Sequence, residues 1–438
     1  MSNVWPASAT RDSSGALWIG GVDVRDAAAA FGTPLFILDE QDVRARAREY
    51  RLAAAQVGAR HVYYAAKAFL ATTVARWVVE EGLGIDVASG GELTVALRAG
   101  VPGHELVLHG NNKSMHEIDA AIAAGVGRIV LDSFEEIVRV ADAANRAGVV
   151  QPVLLRVTIG VQAHTHEFIA TAHEDQKFGF SVASGAAEEA LRRIAMLPNL
   201  DFRGLHSHIG SQIFDAFGFE EAAVRIVAFM ADISQSHGIS FAELDLGGGM
   251  GIAYLESDDP LAIGELAALV ASAVVRDCLA AGVPVPALSF EPGRAIIGPP
   301  GVTLYEIGTV KAVETDGGVR TYISVDGGMS DNIRTALYDA EYTVALVSRT
   351  STAEPMLVRV VGKHCESGDI LIREAWLPAD LVPGDLLAVA ATGAYCRSMA
   401  SNYNYLPRPA VVGVNAGEAT VILRRETLED LLALDPGA

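Results

Sequence analysis

Three features of the sequence predict an α/β fold followed by a β fold: a (β/α)8 barrel of the TIM type, then an antiparallel β-barrel or β-sandwich domain. Eight short β-like runs alternate with alanine-rich helical stretches, polar residues close nearly all of those runs, and the texture changes after about residue 300. Strands that alternate with helices pair in parallel, and eight such units close a barrel. A doubly wound open sheet also alternates, but it gathers its ligand contacts near one switch point.

The elements follow in order. ALWIGGVDV and TPLFILDE, within the first 40 residues, are strand-like and are expected to join the β-domain. The barrel strands begin with HVYYAA at His61. They continue with LGIDVAS (Leu83–Ser89), ELVLHG (Glu105–Gly110), RIVLDS (Arg128–Ser133), PVLLRV (Pro152–Val157), FRGLHSHIG (Phe202–Gly210), AELDLGGG (Ala242–Gly249) and ALSFEPG (Ala287–Gly293). Between them GGELTVALRAG, SMHEIDAAIAAG and SFEEIVRVADAANRAG read as helices, each ending in Ala-Gly where a left-handed C-terminal glycine is favoured. Further on, GVTLYEIGTVKAVE, RTYISVDGG, EPMLVRVVGKHC and DLLAVAATGAY are rich in β-branched residues and separated by Gly, Asp and Pro. The expected boundaries are residues 38–298 for the barrel, with 1–37 and 299–438 for the β-domain. No internal repeat or low-complexity tract interrupts this order.

Composition narrows the function. The chain has 438 residues, 50% hydrophobic and 20% charged, enough for a large core in two domains. A formal net charge of −21 argues against a general affinity for nucleic acid or anionic membrane, so small molecules and copies of the chain are the expected partners. Cys278, Cys365 and Cys396 show neither metal spacing nor disulfide density. MSNVWPASATRDSS lacks a basic region followed by an apolar run, and no segment reads as a membrane span, so cytoplasmic residence is expected.

Active sites of such barrels lie at the C-terminal ends of the strands. Collected there are Lys67 from the first strand, Asp86 and Ser89 from the second and Arg156 from the fifth. The sixth adds His208 and Ser211, the seventh Gly247, Gly248 and Gly249, and the eighth Glu291 and Arg294. Singly, each has an ordinary explanation: Asp86 as a helix cap, His208 as a core histidine, the glycines as a tight turn. Jointly they offer an amine that can bond to a carbonyl, backbone N–H groups suited to phosphate, and a carboxylate able to keep a pyridine nitrogen protonated. Those are the needs of pyridoxal 5′-phosphate.

A metal site is the rival. His206-Ser-His208 places two rings on one face of a strand, and His164-Thr-His166 repeats the spacing in a polar stretch. Metal-dependent barrel hydrolases resemble one another in carrying the pair on the first strand, whereas here it falls on the sixth. No metal is expected.

YYAAKAF, GIDVASGGEL, HGNNKS, EDQKFGF, GLHSHIGSQ, DLGGGMGI, EPGRAI, SVDGGMSDNIRTALY, GKHCESGDI and ATGAYC resemble, in order and spacing, the diaminopimelate decarboxylases, fold-type III pyridoxal-phosphate enzymes related to alanine racemase and ornithine decarboxylase. The resemblance runs from about residue 30 to 425. It implies that Lys67 holds the cofactor covalently, that His208 stacks on its ring and that Glu291 pairs with the ring nitrogen. It further implies that Ser211, Gly247–Gly249, the Gly293-Arg294 turn and Tyr395 hold the phosphate, with Asp86 and Arg156 also at the cofactor. Arg294, Arg334 and Tyr338 would grip the distal carboxylate of the substrate. Cys365 and Glu366 would come from the second protomer of a homodimer, the cysteine as candidate proton donor and the glutamate reading the distal ammonium, with Tyr395 also near substrate.

Chemistry agrees with these roles. A glutamate at the ring nitrogen makes a strong electron sink, whereas the related racemases place an arginine there. A pair of guanidinium groups rewards a second carboxylate and is left unpaired by lysine or ornithine. The expected reaction is therefore meso-2,6-diaminopimelate to L-lysine and carbon dioxide. The alternatives are a related decarboxylase of ornithine, arginine or carboxynorspermidine, and a catalytically silent cofactor-binding homologue. One departure is Phe69, where many relatives carry Asn.

Overall fold

The computed structural model describes residues 1–160, 177–315 and 318–437. They divide into two compact units: Arg46–Gly251 with Pro260–Gly293, and Met1–Ala45 with Ile252–Asp259 and Arg294–Ala438.

The first unit is a closed parallel barrel. Its strands are His61–Ala65, Gly84–Val87, Leu106–Leu108, Arg128–Leu131, Gln151–Thr158, Leu200–His206, Glu243–Asp245 and Ala287–Phe290, the eight runs expected from the sequence. Ser289 pairs with His61 and Ile129 with Val153, so the ring has no open edge; Phe180–Ser181 adds a short parallel strand beside Gln151–Thr158. Strands such as Gly84–Val87 are buried at every position because both faces are covered, which is why they read as continuous apolar runs. Tyr63, Val107, Val130 and Leu154 pack together as a core cluster.

Helix starts are encoded by one repeated device. Ser89, Ser114 and Ser133 each accept a hydrogen bond of 3.2 Å from the backbone N–H of a glutamate three residues on, Glu92, Glu117 and Glu136. Such caps stabilise a helix by about 1 kcal/mol each. Gly148, at φ 67°, ends the helix Phe134–Ala147 as the Ala-Gly rule anticipates. Beneath these helices the Lys113 ammonium, 3.0 Å from Glu136 Oε1, also donates to the carbonyls of Gly110 and Val130 at 2.7 and 2.6 Å, so this buried cation is fully bonded.

The second unit is built on a sheet ordered Ile370–Pro378, Pro355–Val361, Gly318–Val325, Gly301–Thr315, Leu35–Asp39, Ala410–Asn415, Glu418–Leu423, with Leu386–Val389 and Val344–Leu346 branching from Gly301–Thr315. Most pairings are antiparallel. Gly318–Val325 with Pro355–Val361, and Leu35–Asp39 with Ala410–Asn415, are parallel. TPLFILDE supplies the central, fully buried strand Leu35–Asp39. ALWIGGVDV forms a hairpin of its own small sheet within this unit, Leu17–Ile19 against Val22–Asp23, whose turn residues Gly20 and Gly21 take φ of 58° and 80°, and Leu17 and Ile19 join the core of Leu35 and Ile37. No described helix is long and apolar enough to cross a membrane.

Candidate active site

The residues expected from the barrel gather at its strand ends. Lys67 projects from the turn Ala66–Ala68 after the first strand, exposed between two buried alanines. Gly293 packs beneath it; a Cβ there would come within 2.8 Å of Ala65 Cβ and 3.1 Å of Ala68 Cβ. Phe69 is buried, and its carbonyl accepts from the Tyr64 hydroxyl at 2.6 Å. Asp86 is buried on the second strand, while Ser89 does the helix capping. Burial, reinforced by the charge of Glu291, pushes the Asp86 carboxyl up to about 7, against the pull of His109 and Lys67. Arg156, half-buried, lies 4.4 Å from the centroid of the Phe178 ring. Burial lowers its pKa, with Glu291 and Asp86 working the other way.

The glycine triplet follows the seventh strand. Gly247 and Gly249 take φ of 65° and 111°, and a Cβ on Gly248 would sit 2.2 Å from the Glu291 carbonyl oxygen. Only glycine fits this approach. The loop carrying Ser211 is tied to the turn by Ile213 N–H to Gly249 O and Gly251 N–H to Ile213 O, both 2.9 Å. His208 accepts from the Gly248 N–H at Nδ1, 3.3 Å. Burial, then the charges of Lys67 and Arg156, hold its pKa well below the ordinary range, so the ring is neutral. An exposed lysine, a buried carboxyl, a neutral half-buried ring and a side-chain-free turn beside a serine loop fit pyridoxal 5′-phosphate.

Glu291 is held by two histidines. His109 Nε2 lies 2.6 Å from Oε1 and His206 Nε2 lies 3.1 Å from Oε2, all three residues being buried. Burial alone would raise the Glu291 carboxyl; the two rings outweigh it and keep it well below the usual carboxylate range. His206 is pushed down to about 4 by burial, against the pull of Glu291. His109 directly follows the third strand in HGNN, the strand-end position that marks the other polar site residues, yet no motif in the sequence ties it to Glu291. His206 entered only as half of a metal pair. In the structure the pair divides its work, His206 on Glu291 and His208 on the glycine turn. The 2.6 Å contact is a direct hydrogen bond; two ligands on a tetrahedral zinc would stand roughly 3.4 Å apart at the usual bond lengths. His164 and His166 lie outside the described residues, as does the start of EDQKFGF.

The sheet unit carries the second group. Arg294 and Arg334, both buried, place their guanidinium carbons 5.8 and 4.8 Å from the centroid of the Tyr254 ring. Arg294 donates to the Tyr254 hydroxyl and lies 4.7 Å from the Tyr395 ring centroid. Arg334 donates to the Tyr342 hydroxyl, which is 3.7 Å from Cys396 Sγ. Burial works against the Arg334 charge, but the oxygens of Tyr254 and Tyr342 raise its pKa overall. Tyr254 and Tyr342 gave no periodic signal in the sequence. Tyr338 is half-buried at the end of the helix Arg334–Tyr338.

Cys365 and Glu366 sit on a separate turn, both exposed. The turn is fixed by Asp369, whose Oδ2 accepts from the His364 N–H at 2.8 Å, and by the His364 ring, 2.8 Å from Ser330 Oγ and 3.2 Å from Asn404 Oδ1. Glu366 borders a recess of about 450 Å³ shared with Met329, Ile333, Ser401 and Tyr403.

Comparison with known proteins follows this division. Residues 40–298 match the family described as pyridoxal-dependent decarboxylase, pyridoxal binding domain, and residues 276–393 match pyridoxal-dependent decarboxylase, C-terminal sheet domain. A diaminopimelate decarboxylase of Mycobacterium leprae is 58% identical over 99% of this chain and 93% of its own length. One from Mycobacterium tuberculosis is 57% identical over 99% and 98%. The crystal structure of diaminopimelate decarboxylase from M. jannaschii in complex with L-lysine superposes with a TM-score of 0.91 at 31% identity, covering 98% of both chains.

Proposed function

This chain belongs to the pyridoxal-dependent decarboxylases, and from that membership we propose its reaction and the residues that perform it. It uses pyridoxal 5′-phosphate to decarboxylate meso-2,6-diaminopimelate to L-lysine, the last step of lysine synthesis. The observation that carries the substrate is the pair of buried arginines, Arg294 and Arg334, on the Tyr254 ring. Two fixed guanidinium groups reward a second carboxylate, which diaminopimelate has and ornithine, arginine and lysine lack.

When bound, pyridoxal 5′-phosphate supplies an electron sink for the pair left on the α-carbon as carbon dioxide departs. Lys67 provides the amine that bonds to it, with Asp86 adjusting the charge around that amine. His208 offers a neutral ring face, and Glu291 accepts from the ring nitrogen. Gly247–Gly249, Ser211, Gly293, Arg294 and Tyr395 take the phosphate, and Arg156 adds positive charge. Arg294, Arg334 and Tyr338 bind the distal carboxylate. Cys365 and Glu366 serve the other protomer's site in a homodimer, Cys365 as proton donor to the product carbon and Glu366 at the distal ammonium; their exposure supports this. Three free cysteines support residence in the reducing cytoplasm.

The test is incubation of the cofactor-loaded chain with meso-diaminopimelate. Equimolar carbon dioxide and lysine, the latter of L configuration, are expected; D-lysine or racemic product would contradict the reading.

A further inference from the structure

His109, Glu291 and His206 form a buried cluster of titratable side chains whose ligand atoms lie within 4.8 Å of one another. Glu291 follows the eighth strand, His109 the third, and His206 ends the sixth. Three separate strand ends therefore converge on one carboxylate. The His109 N–H of the backbone donates to Val87 O at 2.8 Å and that of Glu291 to Gly247 O at 2.8 Å, so neither side chain hangs from a free loop. The two imidazoles meet edge to face, with centroids 4.7 Å apart and planes at 67°, and each limits the rotation of the other.

We propose that His109 and His206 are positioning residues, which fix the plane of the Glu291 carboxylate by donating to its opposite oxygens. This rests on the reading that Glu291 accepts from the cofactor's ring nitrogen. A carboxylate has roughly four lone-pair directions, so two donors, one per oxygen, orient it and still leave it able to accept a third. An unpinned side chain of three rotatable bonds would swing away from that acceptor position. His206 supports the assignment by what it gives up. Its Nδ1 is buried and has no hydrogen-bond partner among the described residues, so the ring is held as the tautomer with the proton on Nε2, aimed at Glu291. Holding Glu291 anionic is the same service in electrostatic form, because burial opposes it and the two rings supply the offset.

The test uses the full chain reconstituted with pyridoxal 5′-phosphate, comparing His109→Leu, His109→Gln, His206→Leu, Glu291→Gln and the double variant His109→Leu/Glu291→Gln. The visible absorption spectrum of the bound cofactor is read first, then kcat and KM separately. His109→Leu is expected to move the spectrum in the same direction as Glu291→Gln and to lower kcat at least about tenfold with KM within about threefold. His109→Gln, which keeps an N–H near the position of Nε2, recovers most of both. In the Glu291→Gln background the leucine changes the spectrum no further. A fully additive spectral change in that background, or an unaltered spectrum and kcat in both leucine variants, would overturn the proposal. If His109→Leu does not fold, His206→Leu and its double variant carry the same cycle. A wild-type protein that binds the cofactor but releases no carbon dioxide from diaminopimelate would sink the proposed reaction, while the spectral coupling of His109 to Glu291 would still be measured.

Discussion

Arg334 donates to the hydroxyl of Tyr342 while its guanidinium lies 5.5 Å from the centroid of the same ring. One tyrosine thereby fixes the cation both by hydrogen bond and by ring face, and leaves the remaining N–H donors of the fork for a ligand carboxylate. Arg334→Ala should lower kcat/KM for diaminopimelate at least about 100-fold, roughly 3 kcal/mol, with the melting temperature little changed. Arg334→Lys should lose at least about tenfold, since a point charge cannot reproduce the fork. Steady-state kinetics decide this; a loss below threefold for the alanine variant removes Arg334 from the substrate site.

Lys67 is exposed on a turn between two buried alanines, so replacing it should leave the barrel intact. Lys67→Ala should abolish the visible absorbance of covalently held cofactor and all decarboxylation, with circular dichroism unchanged. Survival of the absorbance would assign the bond to another lysine.

Lys113 and Glu136 form a buried pair in which burial draws both groups toward their neutral forms. Lys113→Met should cost about 3–5 kcal/mol in denaturant unfolding, because it strands the glutamate. Adding Glu136→Leu should restore part of that loss. A double variant as unstable as the two single losses added together would show that the pair is not coupled as the 3.0 Å contact implies.

Asp331 is buried and accepts from the Tyr305 hydroxyl at 2.5 Å and the Gly328 N–H at 3.1 Å; burial lifts its carboxyl to about 7. The folded chain thus holds that proton to higher pH than the unfolded chain. The associated stability is complete below about pH 4 and is lost as pH rises toward about 7. Asp331→Asn cannot lose a proton, so its stability relative to the unsubstituted chain should improve by at least about 1 kcal/mol across that window. Parallel pH dependences for the two proteins would refute the assignment.

If each site draws on two protomers, mixing inactive Lys67→Ala and Cys365→Ala proteins should recover activity in the hybrid dimers. Absence of recovery after verified subunit exchange would count against the shared site.

The barrel was legible because its signals are local. Strand runs are short and apolar, Ser-x-x-Glu starts follow Ser89, Ser114 and Ser133, and Gly148 stops a helix. The sheet unit was legible as strands but not as an order, because Leu35–Asp39 pairs with segments more than 260 residues away through contacts that leave no local trace. In the candidate site, Lys67, Asp86, His208 and Glu291 stand out as polar groups, and Gly247–Gly249 as a turn, closing apolar strands. His109 obeys the same rule, directly after Leu106–Leu108, but its partner Glu291 lies 182 residues away. Tyr254 and Tyr342 could not have been found this way, since each lies between regular elements and earns its place only through the arginine it meets in space.

The most direct measurement is carbon dioxide release and product identity from the cofactor-loaded protein given meso-diaminopimelate, ornithine, arginine and lysine in parallel. Turnover of diaminopimelate alone, with L-lysine as product, is the expected result. Equal or faster turnover of ornithine or arginine would contradict the assignment of Arg294 and Arg334 to a second carboxylate.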